Sequence, residues 1–279
     1  MPVSSEDVLL FVKTLNEISN YDFTDYSDKS ITRRIEKVVS DNGLDIKSLI
    51  DRINKDSMFL EKIIRDITVN TTELFRDPKI WHILRYNILP KFKEKKSLSI
   101  WHAGCSAGQE VYSMLMLLNE LDMFDKATVY GTDINTDIIE DAKKGVYKYR
   151  FNLDYLDNFN KIIRENPFNL DEYRDIPYSK YMNINKIQDK ISILPFLTEK
   201  PEFSKHDLVK EDNIFNTKFD FIICRNVLIY FNTRLQDRIF EMFYNSLKEG
   251  AYLVIGLHES ILGSISEKFI KNGTIYQKK

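Results

Sequence analysis

From residue 5 to about residue 69, apolar residues recur at helical spacing with polar residues between them. Val8, Leu9, Val12, Leu15 and Ile18 mark one buried stripe, and Ser4 or Ser5 is placed to cap its helix. Ile31, Ile35, Val38 and Val39 mark a second helix over about 28–40, which Gly43 is placed to end. Asp45 can cap a third helix holding Leu49, Ile50 and Ile53; Phe59, Leu60, Ile63, Ile64 and Ile67 mark a fourth. A further helical stretch, from 78 to about 92, carries Ile80, Leu84 and Ile88 on one side and ends near the charged run at 91–96.

The period changes after Lys96. Short apolar runs at 98–101, 127–130, 219–224 and 251–255 predict strands, and helical patterns at 109–121, 136–144 and 233–247 follow the first three. Parallel neighbours need long crossovers, so this alternation predicts an α/β fold with a mostly parallel sheet covered on both faces. Between 147 and 216 the chain is polar and proline-punctuated, with β-like runs at 181–184 and 191–194. A small inserted β-subdomain at about 175–205 is expected there. The domain reading is a helical unit over 1–76, a linker helix over 77–96 and an α/β domain over 97–279.

Composition narrows the function classes. A chain of 279 residues that is 43% hydrophobic and 29% charged is a folded globular protein, long enough for two domains. Its net charge of -2 supplies no excess of cations to release counterions from a phosphate backbone, which argues against a nucleic-acid partner. Cys105 and Cys224 stand far apart and the four histidines show no paired spacing, so neither a disulfide framework nor a metal site is expected. No apolar run reaches membrane-spanning length and no basic-then-apolar leader opens the chain. The expectation is a cytoplasmic protein without membrane insertion.

Candidate chemistry concentrates in 97–113, SLSIWHAGCSAGQEVYS, where a strand feeds a turn with Gly104 and Gly108 and then a helix. Such a turn lets backbone N–H groups and a helix N-terminus approach a ligand closely. Asp133 ends the next strand, in VYGTDIN, 25 residues after Gly108, where an acid can accept hydrogen bonds from both hydroxyls of a ribose. Together they point to a nucleoside; a tight structural turn and a helix-capping acid are the alternatives the residues leave open. The lack of a Walker lysine argues against ATP hydrolysis, and the missing third glycine against NAD.

Four separated segments, ITVNTTELFRD (67–77), HAGCSAGQEVYS followed by TDI, HDL (206–208) and FDFIICRNVLIYF (219–231), resemble the CheR-type chemotaxis receptor glutamate O-methyltransferases, as does RRIEK (33–37). Their order and spacing agree with that family over nearly the whole chain. The resemblance implies a Rossmann-like S-adenosylmethionine-dependent methyltransferase domain preceded by a small all-α domain. It also implies that Asn70, Thr72 and Arg76 reach the cofactor from the linker, together with Glu110, Asp133, Asp207, Leu208, Arg225 and Asn226. The sequence departs from the family pattern at Gln109, where an acid is usual, at Val111, at Asp207, where Asn is frequent, and at GLHESI (256–261), which approximates GHSE.

On this resemblance the product is S-adenosylhomocysteine, the partners are chemoreceptor cytoplasmic methylation helices, and a monomer is expected. A glutamate is ionised at neutral pH and needs no general base, which fits the absence of a Ser-His-Asp pattern. Arg76 is the candidate for orienting the substrate carboxylate and Tyr230 for the wall of the transfer site; an Arg76–Asp pair and a core Tyr230 are the alternatives. Arg33, Arg34 and Lys37 are the candidate docking stripe for an acidic helix, although residues 1–60 hold 8 basic against 11 acidic side chains. Some members tether a receptor pentapeptide through a glycine-rich loop. With no glycine between Gly145 and Gly250, activity without that tether is expected. A methyltransferase with another acceptor, or a non-catalytic S-adenosylmethionine sensor, are the competing readings.

Overall fold

The computed structural model describes residues 3–68 and 72–279. Asn70 therefore lies outside the described residues. Helix α1 (Ser5–Ile18) is opened by Ser4, whose hydroxyl accepts from the Asp7 N–H at 3.1 Å while the Asp7 carboxylate accepts from the Ser4 N–H. Helix α2 (Asp28–Asn42) ends at Gly43 in the left-handed conformation, φ 61°. Asp45 caps α3 (Ile46–Lys55) and Asp56 caps α4 (Ser57–Ile67), each accepting a backbone N–H with its carboxylate. The apolar stripes of all four helices meet in one cluster around Phe11, Leu15, Ile35, Leu49 and Ile63.

The next stretch is helical but irregular. Helix α5 (Pro78–Ile83) passes into a π turn (Leu84–Ile88) and a 3-10 turn (Leu89–Phe92). Pro90 explains the break, because in an α-helix its ring would strike the carbonyl four residues back, and the chain widens before it instead. Ile80, Trp81, Leu84, Ile88, Leu89 and Phe92 are buried in one cluster with Ile100, Val129 and Phe221. The segment read as a linker is thus packed against the sheet.

In chain order the remaining elements are β1 (Leu98–Ala103), α6 (Gln109–Glu120), β2 (Ala127–Asp133), α7 (Thr136–Lys144), β3 (Val146–Lys148), α8 (Leu153–Phe159), β4 (Met182–Asn185), β5 (Lys190–Ile193), α9 (Pro195–Thr198), β6 (Glu202–Lys205), β7 (Phe219–Cys224), α10 (Thr233–Ser246), β8 (Leu247–Ile255), β9 (Phe269–Asn272) and β10 (Ile275–Lys278). Seven strands form one sheet in the order β6-β2-β1-β7-β8-β10-β9. The first five are parallel, and β10 and β9 join antiparallel at one edge. Side chains alternate across the sheet: Phe221 and Ile223 join the cluster with α6, whereas Ile222 and Cys224 join the cluster with α10. A sheet buried on both faces reads as continuous apolar runs, as 219–224 does.

From β1 the chain builds outward through β2 to β6 and then returns to place β7 on the other side of β1. This reversal opens a crevice at the carboxyl ends of β1 and β7, the place where open α/β sheets bind ligands. A second sheet, β3-β5-β4, forms the insertion; its third strand, β3, comes from ahead of the expected 175–205 segment. The turn between β4 and β5 forms without glycine. Asp189 takes the left-handed conformation, φ 52°, and its carboxylate accepts from the Arg150 N–H at 2.7 Å.

No helix among the described residues is long and apolar enough to cross a membrane.

Candidate functional site

A cleft of about 1000 Å³, counting its open mouth, lies over the carboxyl ends of the parallel strands. Gly104, Cys105 and Ser106 line it from the loop after β1, Asp133 and Ile134 from β2, His206 to Val209 from the loop after β6, and Arg225, Asn226, Val227, Tyr230 and Phe231 from the loop after β7. The helical unit closes the other side with Tyr26, Ser30, Arg34, Ile67 and Thr68, and Thr72 and Arg76 enter from the strap between the two units. Of the residues singled out by sequence, Thr72, Arg76, Gly104, Glu110, Asp133, Asp207, Leu208, Arg225, Asn226, Tyr230 and Arg34 all line this one cleft.

Gly108, Arg33 and Lys37 do not. A Cβ on Gly108 would meet Ala142 of α7 at 3.0 Å, so its left-handed φ of 85° serves the packing of α6 against α7. Arg33 and Lys37, four residues apart, share an exposed face, and Lys37 pairs with Asp41. Arg34 sits a hundred degrees round the helix and turns inward, its guanidinium 5.2 Å from the ring centre of Tyr230. The expected stripe of three is therefore divided between two faces.

The glycine turn is built for close approach. At Gly104, φ is 76° and an added Cβ would fall 2.5 Å from a methyl of Val227. Ser106, also left-handed, donates its N–H to one Asp133 oxygen at 2.9 Å, and the Asn135 N–H binds the other at 3.1 Å. Both oxygens stay in the cleft wall with lone pairs to spare. Burial pushes the Asp133 carboxyl above its ordinary range, although backbone N–H groups pull the other way.

Behind the turn runs a chain of polar groups. His102 Nδ1 lies 2.9 Å from one oxygen of Glu110, and Arg225 donates to the other at 2.9 Å. Burial opposes the ionised Glu110, but His102 and Arg225 outweigh it and hold its carboxyl below the ordinary range. The same guanidinium reaches Asp77 at 2.7 Å and the Arg76 carbonyl at 2.9 Å. Trp81 Nε1 also donates to that carbonyl, at 2.9 Å. Arg76 is thus fixed through its backbone and flanked by two left-handed residues, Phe75 (φ 52°) and Asp77 (φ 59°). Strain of this kind is retained where the surroundings over-determine it. Gln109 explains its own departure from the family pattern: it donates to the Tyr155 hydroxyl at 3.0 Å, which donates to the Thr72 carbonyl at 2.8 Å, and so steadies the strap.

Asp207 accepts the Val209 N–H at 2.8 Å, a bond an Asn side chain would also make. Burial pushes its carboxyl above the ordinary range, although the Val209 N–H and Lys210 pull the other way. Across the cleft, the two units are stitched by strand-like pairing. The Ser27 N–H donates to the Tyr230 carbonyl at 2.9 Å, the Asn232 N–H to the Asp25 carbonyl at 2.8 Å, and Tyr26 meets Phe231 edge-on at 5.1 Å.

Sequence reasoning missed Tyr26, Ser106, His206, His102 and Glu259. His102 left a trace, a polar residue inside the apolar strand 98–103, and Glu259 left one in the partial GHSE match. Nothing marked Tyr26, which an ordinary loop would also contain.

A parallel sheet with a glycine turn, a strand-end acid and an arginine-bearing strap over its carboxyl edge defines a nucleoside-binding α/β protein. Comparison with known families makes the class specific. The description "CheR methyltransferase, SAM binding domain" matches residues 70–276, and "CheR methyltransferase, all-alpha domain" matches residues 6–68. The chain belongs to the CheR methyltransferase family. Among its relatives, the protein Cher3 of Pseudomonas putida is 31% identical over 277 residues, covering 98% of this chain and 96% of that protein. A chemotaxis protein methyltransferase of Borreliella burgdorferi is 32% identical and covers 78% of this chain and 74% of that protein; one of Listeria innocua is 28% identical and covers 94% and 93%.

The residues present fit S-adenosylmethionine. Asp133 offers acceptors for ribose hydroxyls, and four lining residues, Arg34, Ser106, His206 and Arg225, each keep a buried polar atom without a hydrogen-bond partner among the described residues. Among the described residues no group of three His, Cys, Asp or Glu side chains could hold a metal ion.

Proposed function

We propose that the protein transfers a methyl group from S-adenosylmethionine to glutamate side chains on the cytoplasmic methylation helices of chemoreceptors, giving γ-glutamyl methyl esters and S-adenosylhomocysteine. One observation carries this reading: the cleft joins a ribose-type acid, Asp133, to Arg34 and Arg76 beside Tyr230, while Arg225 is paired with Glu110 and Asp77. A guanidinium so placed can hold an acidic side chain at a nucleoside site. The names of the Borreliella and Listeria relatives support chemotaxis as the context.

S-adenosylmethionine supplies a methyl group on a cationic sulfur. The substrate carboxylate is ionised at neutral pH, so the protein has no proton to remove. When bound, S-adenosylmethionine would give its methyl to a carboxylate oxygen and leave with the carbon–sulfur electron pair as S-adenosylhomocysteine. Such a transfer would neutralise charge, so this chain contributes positioning and exclusion of water. Arg76 orients the carboxylate, Tyr230 walls the transfer site, and Thr72, Gly104, Glu110, Asp133, Asp207, Leu208, Arg225 and Asn226 surround the nucleoside. Asn70, outside the described residues, is assigned there by resemblance alone.

In this proposal the enzyme acts in the cytoplasm as a monomer, with Arg33 and Lys37 on the outer face of α2 meeting the acidic helix. It works without a receptor pentapeptide. Asp189 makes the tight turn that glycine would make. Every position of the 185–190 loop nevertheless carries a side chain, which hinders close approach of a peptide backbone.

The test is methyl transfer from radiolabelled S-adenosylmethionine to receptor cytoplasmic fragments. Base-labile label released as methanol is expected. Asp133→Ala should weaken S-adenosylhomocysteine binding by about tenfold or more, and Arg76→Ala should slow transfer more than it weakens binding. Base-stable label would point to another acceptor, and tight binding without transfer to a sensor.

A further inference from the structure

Glu259 lies outside the cleft, 93% buried, in the loop after β8. Its carboxylate makes an unusual set of bonds, all to backbone. One oxygen accepts from the N–H groups of Val227 at 3.0 Å, Leu228 at 2.8 Å and Ile229 at 3.3 Å. The other accepts from Asn226 at 3.0 Å and Gly256 at 2.6 Å. Four consecutive N–H groups of the loop after β7 thus converge on one anion, as at the start of a helix. Asn226 is held left-handed there, φ 61°. Gly256 is the matching piece: a Cβ at that position would sit 2.8 Å from the carboxylate and 2.9 Å from the Asn226 nitrogen.

The loop so gathered carries Asn226 and Val227 into the cleft, and Tyr230 follows within one turn. Its carbonyl at Tyr230 also receives the Ser27 N–H from the helical unit. The geometry points to Glu259 as a positioning residue: an internal counter-ion that assembles residues 226–229, and through them sets Tyr230 and the seam between the two units. It is not among the residues that line the cleft. The inference about the loop stands on geometry alone; only its consequence for transfer rate rests on the proposed function.

Amide hydrogen exchange on the 15N-labelled full chain tests it. In the wild type, the amides of 226–229 should exchange slowly although they lie outside the strands. In Glu259→Gln an N–H₂ group replaces one acceptor oxygen and faces backbone donors. Protection at 226–229 should then fall by about tenfold or more while α1–α4 keep theirs, and transfer should lose kcat with KM for the receptor fragment little changed. Gly256→Ala, which crowds the same carboxylate, should do likewise and serves if Glu259→Gln fails to fold. Fast exchange of these amides in the wild type, or unchanged protection in a folded variant, overturns the assignment. If the wild type transfers no methyl group but shows the protection pattern, the proposed function fails and the role of Glu259 stands.

Discussion

Glu110 shows how a single side chain can be legible in its identity and hidden in its energetics. Its place two residues after Gly108 is plain in the sequence, but its partners His102 and Arg225 come from β1 and from the loop after β7. The folded carboxyl sits below its ordinary value of 4.5, so the stability it contributes is fully present above that pH and is lost as pH falls through the lower folded value. Glu110→Gln should therefore cost about 1.5–3 kcal/mol near neutral pH, the range for hydrogen bonds to charged groups. Denaturant unfolding of both proteins at a series of pH values checks this: the gap should close as the pH drops below 4.5. A gap that widens in acid would contradict the sign. Asp133, pushed up by burial, has the opposite sign; its ionised form opposes folding above its ordinary pKa.

At the scale of elements, the strands that carry the site were readable because they are buried on both faces and so write long apolar runs. Edge strands leave no such mark. In β6, EFSK, no residue is fully buried, and in β9, FIKN, only Phe269 is; neither stands out from a loop. The helices of the first unit were readable from spacing, whereas the break at Pro90 needed its clash with the preceding turn to be considered. Central strand β7 also holds a buried charge, Asp220, which binds Lys95 at 2.8 Å, Lys248 at 2.7 Å and the Ser99 N–H at 2.9 Å. The lysines pull its carboxyl below the ordinary range against the effect of burial. Asp220→Ala should cost about 1–3 kcal/mol, because the half-exposed lysines can turn to water but the Ser99 N–H cannot. Thermal unfolding should show a Tm lower by roughly 2–4 °C per kcal/mol, with S-adenosylhomocysteine affinity unchanged.

Across the whole molecule, the feature sequence could not give is the seam. Which loop of the helical unit meets which loop of the sheet depends on packing between segments some two hundred residues apart, such as Asp25 with Asn232. Only Arg34 hinted at it, and the sequence grouped that residue with its exposed neighbours.

The seam and the strap leave the chain's two indoles in telling places. Trp81 donates to the carbonyl of Arg76, and the Trp101 ring lies 5.4 Å from that of His206, so each stands one residue behind the cleft wall. The protein consequently carries its own optical reporter. Saturating S-adenosylhomocysteine should alter intrinsic tryptophan emission, with Trp81→Phe and Trp101→Phe dividing the signal between strap and strand. Unaltered emission while calorimetry records binding would locate the ligand away from both.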